Sequence, residues 1–312
     1  MPRRESSRRF FAAAAVGTTD VVARSPACAA GRDCENAAGA SYHGPLPSST
    51  KPGRNPSRRL ALLAAALLVS AWSSLAADAP KLTVAAAADL RFALDELASH
   101  FRAAHPGVEL AITYGSSGNF LAQIQNGAPF DVFLSADVDY PRRLIAAGLA
   151  SQDSLFLYGV GRIVVWVPAA SPLDPAAQGI KVLDAPSVRH IAIANPQHAP
   201  YGRAAEAALR SLGVYDRVSP KLVLGENIAQ TFEFVESGAA EVGIVALSLA
   251  LAPSARGHGR YWEVPAEAYP KIEQGGVILS RAPAGPAAQF RAFLLSTEAR
   301  GILKKYGFSV PQ

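Results

Sequence analysis

The chain has 312 residues, half of them apolar, 18% charged and only 8% aromatic. That make-up excludes a disordered or collagen-like chain, because there is enough apolar surface for one large core or two modest ones. The formal charge of +5 would suggest a nucleic-acid or membrane-surface partner, but ten of the 30 Lys/Arg and only four of the 25 Asp/Glu precede Leu60. From Asp78 onward 20 basic residues face 21 acidic ones, well mixed, so the basicity belongs to the leader and no nucleic-acid partner is expected.

Residues 1–57 are rich in Pro, Gly, Ser and Arg without periodicity, which predicts a disordered segment. Within it, Ser7-Arg8-Arg9-Phe10-Phe11 is similar to a twin-arginine export signal, but the apolar stretch after it, Ala12 to Val16, is short and soon meets Asp20. The expectation is therefore a misassigned extension upstream of a start near residue 56. Arg58 and Arg59 then precede the uncharged apolar run Leu60 to Trp72 and the small residues up to Ala77. Those three parts predict a signal peptide at 58–77, cut after Ala76 or Ala77, and a periplasmic protein. A membrane anchor is disfavoured, since spanning a bilayer needs roughly 18 to 20 apolar residues. Both cysteines, Cys28 and Cys34, lie in the extension, so the processed chain offers no disulfide, zinc site or thiol nucleophile.

The remaining 235 or so residues alternate strand-like and helix-like segments, the pattern of an α/β protein with largely parallel sheets. Strands are predicted at 82–86, 109–114, 130–135, 162–167, 190–194, 221–224, 242–246 and 276–280. Helices are predicted at 89–105, 119–125, 140–147, 202–212, 228–236 and, as one long final helix, 286–306. A Pro-rich loop covers 171–175, and beyond Ala252 the chain reads as a polar loop.

Catalytic patterns are scarce: no G-x-S-x-G elbow, H-E-x-x-H, Walker loop or G-x-G-x-x-G on a strand-helix turn occurs. His198 sits in a loop, where a lone histidine is more often structural, and Asp131 and Asp137 bracket an apolar strand as turn-fixing carboxylates do. What recurs is a small polar or Gly-rich loop just before a helix: Ala86-Ala87-Ala88-Asp89, Gly115-Ser116-Ser117-Gly118, Pro200-Tyr201-Gly202 and Gly225-Glu226-Asn227. Helix starts carry unpaired N–H groups and partial positive charge, so several converging on one point make an anion site without lysine or arginine. Each loop alone is an ordinary turn; four in one exported α/β chain favour the anion site. Neutral donors suit a fully deprotonated tetrahedral dianion, whereas a protonated anion brings a hydrogen that no acceptor meets.

The runs Leu82 to Leu90, Tyr114 to Asn119, Asn126 to Asp137, Asn195 to Gly202 and Tyr306-Gly307-Phe308 resemble the periplasmic molybdate-binding proteins of ABC importers, in order and over about Lys81 to Pro311. The resemblance implies a two-lobed periplasmic-binding-protein type II fold, each lobe a mostly parallel sheet flanked by helices, with a ligand cleft between them. Within a solute-binding domain at 78–312, lobe 1 would be about 80–160 plus 270–312 and lobe 2 about 161–269, joined by two crossovers. The implied ligand is molybdate, with tungstate, held through its oxygens by backbone amides and hydroxyls. By motif match Ala88 and Asp89 form the first loop, Ser117 gives a hydroxyl and an amide, Tyr201 an amide, and Asn227 with Ile228 opens the fourth helix. The metal is met only as the oxyanion; no cofactor and no catalytic residue are implied, and the partners are an inner-membrane permease with its ATPase, served by a monomer.

Two positions depart from the family. Many members carry a serine donor where Asp89 stands, and a carboxylate would repel a dianion; Asp89 is expected to turn back as an N-cap on the Arg91 to Phe92 turn. Many also carry a tyrosine where Ala246 stands, and the Tyr201 phenol is the expected replacement. Asp89 keeps open a binding protein for sulfate, thiosulfate or phosphate. A secreted hydrolase using Ser117 with His198 has no elbow to support it, and a regulator's sensing domain lacks a helix-turn-helix.

Overall fold

The computed structural model describes residues 80–310. The extension at 1–57, the signal peptide at 58–77 and both cysteines lie outside the described residues. In chain order the elements are β1 (Lys81–Ala87), a 3-10 turn (Ala88–Leu90), α1 (Arg91–Ala104), β2 (Glu109–Gly115), α2 (Ser117–Gln125), β3 (Val132–Ser135), α3 (Asp139–Ala146), β4 (Phe156–Gly161) and β5 (Ile163–Pro168). There follow α4 (Pro175–Gln178), β6 (Ile191–Ala194), α5 (Pro200–Ser211), α6 (Tyr215–Val218), β7 (Leu222–Gly225), α7 (Ile228–Glu236), β8 (Val242–Ala246), α8 (Leu247–Ala250) and β9 (Gly259–Glu263). The last elements are β10 (Ile272–Ile278), α9 (Ala284–Leu294) and α10 (Thr297–Lys305).

The strands form two five-stranded sheets, ordered β2-β1-β3-β10-β4 and β7-β6-β8-β5-β9. Each has four strands running one way and a single reversed strand, β10 in the first and β5 in the second. Those reversed strands are the ones the chain enters on leaving the other sheet: β4 continues into β5 through Arg162 alone, and β9 passes to β10 across 264–271. In the first sheet the strand alternation sends Val84, Ala86, Val132 and Leu134 to one face, under Phe101 and Phe290 at a centroid separation of 5.1 Å, and Ala85 and Phe133 to the other. With both faces covered, short strands such as Val132–Ser135 are buried throughout. The second sheet is built around Trp166 packed on Phe232 at 4.7 Å.

Several expectations are corrected. The single helix at 286–306 is two, broken at Ser296, whose hydroxyl accepts from Ala299 N at 3.2 Å and caps α10. The apolar pattern runs through the break because α9 and α10 face the same core cluster. The final strand begins at Ile272, four residues before its expected start. The strands β4 and β9 were not foreseen: both are sheet edges, one carrying two glycines and the other half-exposed with charged Arg260 and Glu263. Helices α2 and α5 each start two residues earlier than expected, at Ser117 and Pro200.

Candidate functional site

Four strand-to-helix turns meet between the lobes, at the C-terminal ends of parallel strands, where open α/β sheets place their ligand crevices. They line a small pocket, about 10 Å³ in volume, whose walls include all six residues singled out above: Ala88, Asp89, Ser117, Tyr201, Asn227 and Ile228. Gly115, Ser116, Ala136 and Pro200 complete much of the wall, and no lysine, arginine or histidine lines it. Positive potential in the cavity therefore comes from helix-start amides, with small residues letting the backbone come close.

Each turn is built for this in its own way. Ser117 is the first residue of α2, and its Oγ accepts from Ala136 N at 3.0 Å, which leaves the hydroxyl proton for another acceptor. Pro200 opens α5 with no N–H of its own, so Tyr201 offers that helix's first free amide. A Cβ on Gly202 would run into the Ala194 carbonyl, so glycine lets α5 seat tightly on the end of β6. Asn227 has an extended backbone, and its Oδ1 accepts from Ala229 N at 3.0 Å and Gln230 N at 3.1 Å. Capping α7 with the side chain leaves the Asn227 and Ile228 amides for the cavity.

Asp89 does not do what was expected of it. It lies inside the 3-10 turn, neither that turn nor α1 has a side-chain cap, and its carboxylate turns inward. Oδ2 accepts from Tyr201 Oη at 2.9 Å and from Gln274 Nε2 at 2.6 Å, while Oδ1 is buried without a partner. Burial pushes the carboxyl up to about 6, against the smaller downward pull of the Gln274 and Tyr201 hydrogen bonds. The Tyr201 phenol is raised far above its ordinary value, first by burial and then by the Asp89 charge. Committed to Asp89, that phenol is not a replacement donor for a family tyrosine at Ala246, and Ala246 itself is fully buried at the end of β8.

The lobes also touch around the cavity. Gly118 N donates to His198 O at 2.9 Å and Ser116 Oγ donates to the same carbonyl at 2.7 Å. A Cβ at Gly118 would stand 2.5 Å from that oxygen, so this seam requires glycine. The His198 ring reaches Ser116 Oγ at 3.0 Å through Nδ1 and Glu226 at 3.7 Å through Nε2, and Asn119 bonds Glu226 across the same seam. On another flank Arg203 meets Asp137 at 2.6 Å and the Tyr140 hydroxyl at 2.8 Å. The Ser117 and His198 pair of the hydrolase reading is not formed: His198 partners Ser116, whose proton is committed to a carbonyl. Asp131 ties the entry of β3 to β1, accepting from Thr83 N and Oγ1, and Asp137 holds the turn into α3 by accepting from Asp139 N.

Gln274 and Ser116 were missed. Gln274 follows Glu273 in Ile272–Ile278 and gave no local signal, and the strand was expected to start only at Gly276.

Two lobes and a seam around a small cavity walled by helix starts from both sides define a solute-binding protein. Residues 82–309 match the family of bacterial extracellular solute-binding proteins. Over 255 residues the chain is 39% identical to the molybdate-binding protein ModA of Azotobacter vinelandii, covering 81% of this chain and 98% of that one. ModA of Rhodobacter capsulatus is 37% identical over 246 residues, covering 78% and 94% respectively. The solved periplasmic molybdate-binding protein of A. vinelandii superposes with a TM-score of 0.69 at 37% identity, covering 74% of this chain and all of that one, 100%. The chain belongs to the extracellular solute-binding proteins, in the family of the ModA molybdate-binding proteins.

Proposed function

We propose that this protein is the substrate-binding component of an ABC importer for molybdate, with tungstate as a second cargo, taken as the intact oxyanion through its oxygen atoms. The observation that carries this reading is the convergence of four helix starts on one cavity that has no basic side chain in its wall. Amides of Tyr201, Asn227 and Ile228, the Ala88 turn and the Ser117 hydroxyl and amide are the proposed donors. They come from both lobes, so ligand favours the closed form, and a buried dianion is tolerated only when its oxygens are all met. In this reading the leader at 58–77 delivers a monomer to the periplasm, where it hands its cargo to the inner-membrane permease and ATPase.

Isothermal titration of the purified protein with molybdate, tungstate, sulfate and phosphate at one pH tests the reading. Molybdate and tungstate are expected to bind far more tightly than sulfate or phosphate; equal affinity for sulfate would defeat the specificity. Ser117→Ala is expected to cost about 1.5 to 3 kcal/mol of molybdate affinity, the loss of a charge-assisted hydrogen bond.

A further inference from the structure

The wall of the cavity holds one group that a dianion should not tolerate. Asp89 is 1% exposed, and no lysine, arginine or histidine pairs with its carboxylate. Its Oδ2 already accepts two hydrogen bonds from neutral donors, while Oδ1 has none. An ionised Asp89 and an oxyanion in the same small cavity would be like charges with no buried cation between them, the situation that drives a carboxyl to hold its proton. The oxygen that can carry that proton is the unpartnered one, Oδ1, which would then have a hydrogen to donate.

We propose that the site takes up one proton with each oxyanion, held on Asp89 Oδ1, so that Asp89 enters the ligand shell as a neutral hydrogen-bond donor. This rests on the oxyanion-binding reading above and names a specificity-determining residue within it. The proton comes from solvent, and no covalent bond is made or broken other than that O–H. The groups around Asp89 do not offer an alternative counter-charge. From α5 it meets the Tyr201 phenol and from β10 the neutral Gln274, while the Tyr158 phenol of β4, within reach of its charge, donates to Ser135 O. From α8 Ser248 Oγ donates to the Asp89 carbonyl at 2.7 Å. Arg91 on α1 and Glu233 on α7 pair with each other at the surface, Asp95 on α1 takes the Tyr114 hydroxyl of β2, and Arg203 on α5 pairs with Asp137. A carboxyl already raised to about 6 before any anion arrives is consistent with this.

The test is calorimetric titration of the full-length protein with sodium molybdate in PIPES, HEPES and Tris buffers, whose different ionisation heats count the protons exchanged. Uptake close to one proton per molybdate is expected near pH 8, falling to about half at pH 6 and towards zero below it, with affinity weakening about tenfold per pH unit between 7 and 8. In Asp89→Asn, whose amide donates without titrating, uptake should vanish, and affinity should be independent of pH and at least about tenfold tighter than the natural chain at pH 8. His198→Gln should keep the uptake. Zero uptake by the natural chain at pH 8, or uptake surviving in Asp89→Asn, overturns the proposal. If Asp89→Asn does not fold, the ¹³C carboxyl shift of Asp89 in the natural protein decides, a carboxylate signal in the molybdate complex at pH 7 being the refuting result. Absence of molybdate binding at every pH overturns the oxyanion reading itself, whereas tight binding without proton uptake overturns the proton alone.

Discussion

Asn227 and Asp89 each stand at the start of a helix that follows a parallel strand, one in each lobe, and both help wall the same cavity. Asn227 sits one residue before α7 with φ −150° and ψ 176°, and from that extended backbone its side chain reaches forward to two amides. Asp89 sits two residues past the cap position, Ala87, inside a 3-10 turn that ends on Leu90 with φ −78° and ψ −12°. From inside the turn its side chain caps neither the turn nor α1 and instead meets Tyr201 and Gln274. The contrast teaches that an acidic or amide side chain in a strand-to-helix loop caps from the position before the helix and not from within its first turn. A displacement of two residues separates a stabilising cap from a buried carboxyl.

The largest expected effect that would break this contrast is on Asp89 without ligand. Its carboxyl is about 6 folded against 3.8 ordinarily, so the folded chain binds more protons than the unfolded chain between those values. The stability it supports is full below pH 3.8 and is lost as the pH rises through 6. Asp89→Asn should therefore be more stable than the natural chain at pH 7.5, by up to about 3 kcal/mol, and show no such gain at pH 3.8. Urea denaturation at the two pH values measures this, and an equal difference at both would end the case for a stranded charge. Tyr201→Phe removes one of only two donors to that carboxylate and should cost about 1 to 3 kcal/mol at pH 7.5. Its molybdate affinity at acid pH should hardly change, because the backbone amide stays; a large loss there would put the phenol in contact with the ligand.

On the other side of the comparison, Asn227→Ala should destabilise by about 1 kcal/mol, as cap losses do, with Asn227→Ser recovering most of it. Thermal melts of the three proteins would show it, and an unaffected melting temperature would mean that the cap is idle. The smallest effect is expected at the surface, where Arg91 and Glu233 pair across the lobes at 3.4 Å with both side chains about half exposed. Arg91→Gln should change stability by less than about 1 kcal/mol and less still in high salt. A larger loss, seen in the same denaturation series, would make that pair a structural tie between the lobes.

The strand-to-helix alternation was legible because β1, β2, β6, β7 and β8 are short apolar runs ended by small residues. The edges β4 and β9 were not, since an edge strand tolerates glycine and charge and loses the alternating signal. The turns that wall the cavity could be picked out because each is a small-residue loop followed by a helical stripe. What no local pattern could place was the Asp89 side chain: its partners lie 112 and 185 residues away, one in each lobe, and meet it only when both sheets are assembled. His198 was equally opaque, because its role is carried by its carbonyl, a group every residue has.

That carbonyl has a further use. Because the Gly118 amide bonds to it across the cleft, the proton on Gly118 is shielded only while the lobes touch. Its exchange with deuterium therefore runs at a rate set by how often the molecule opens, and the factor by which a ligand slows that exchange is a direct reading of the free energy of closure, taken from a single atom.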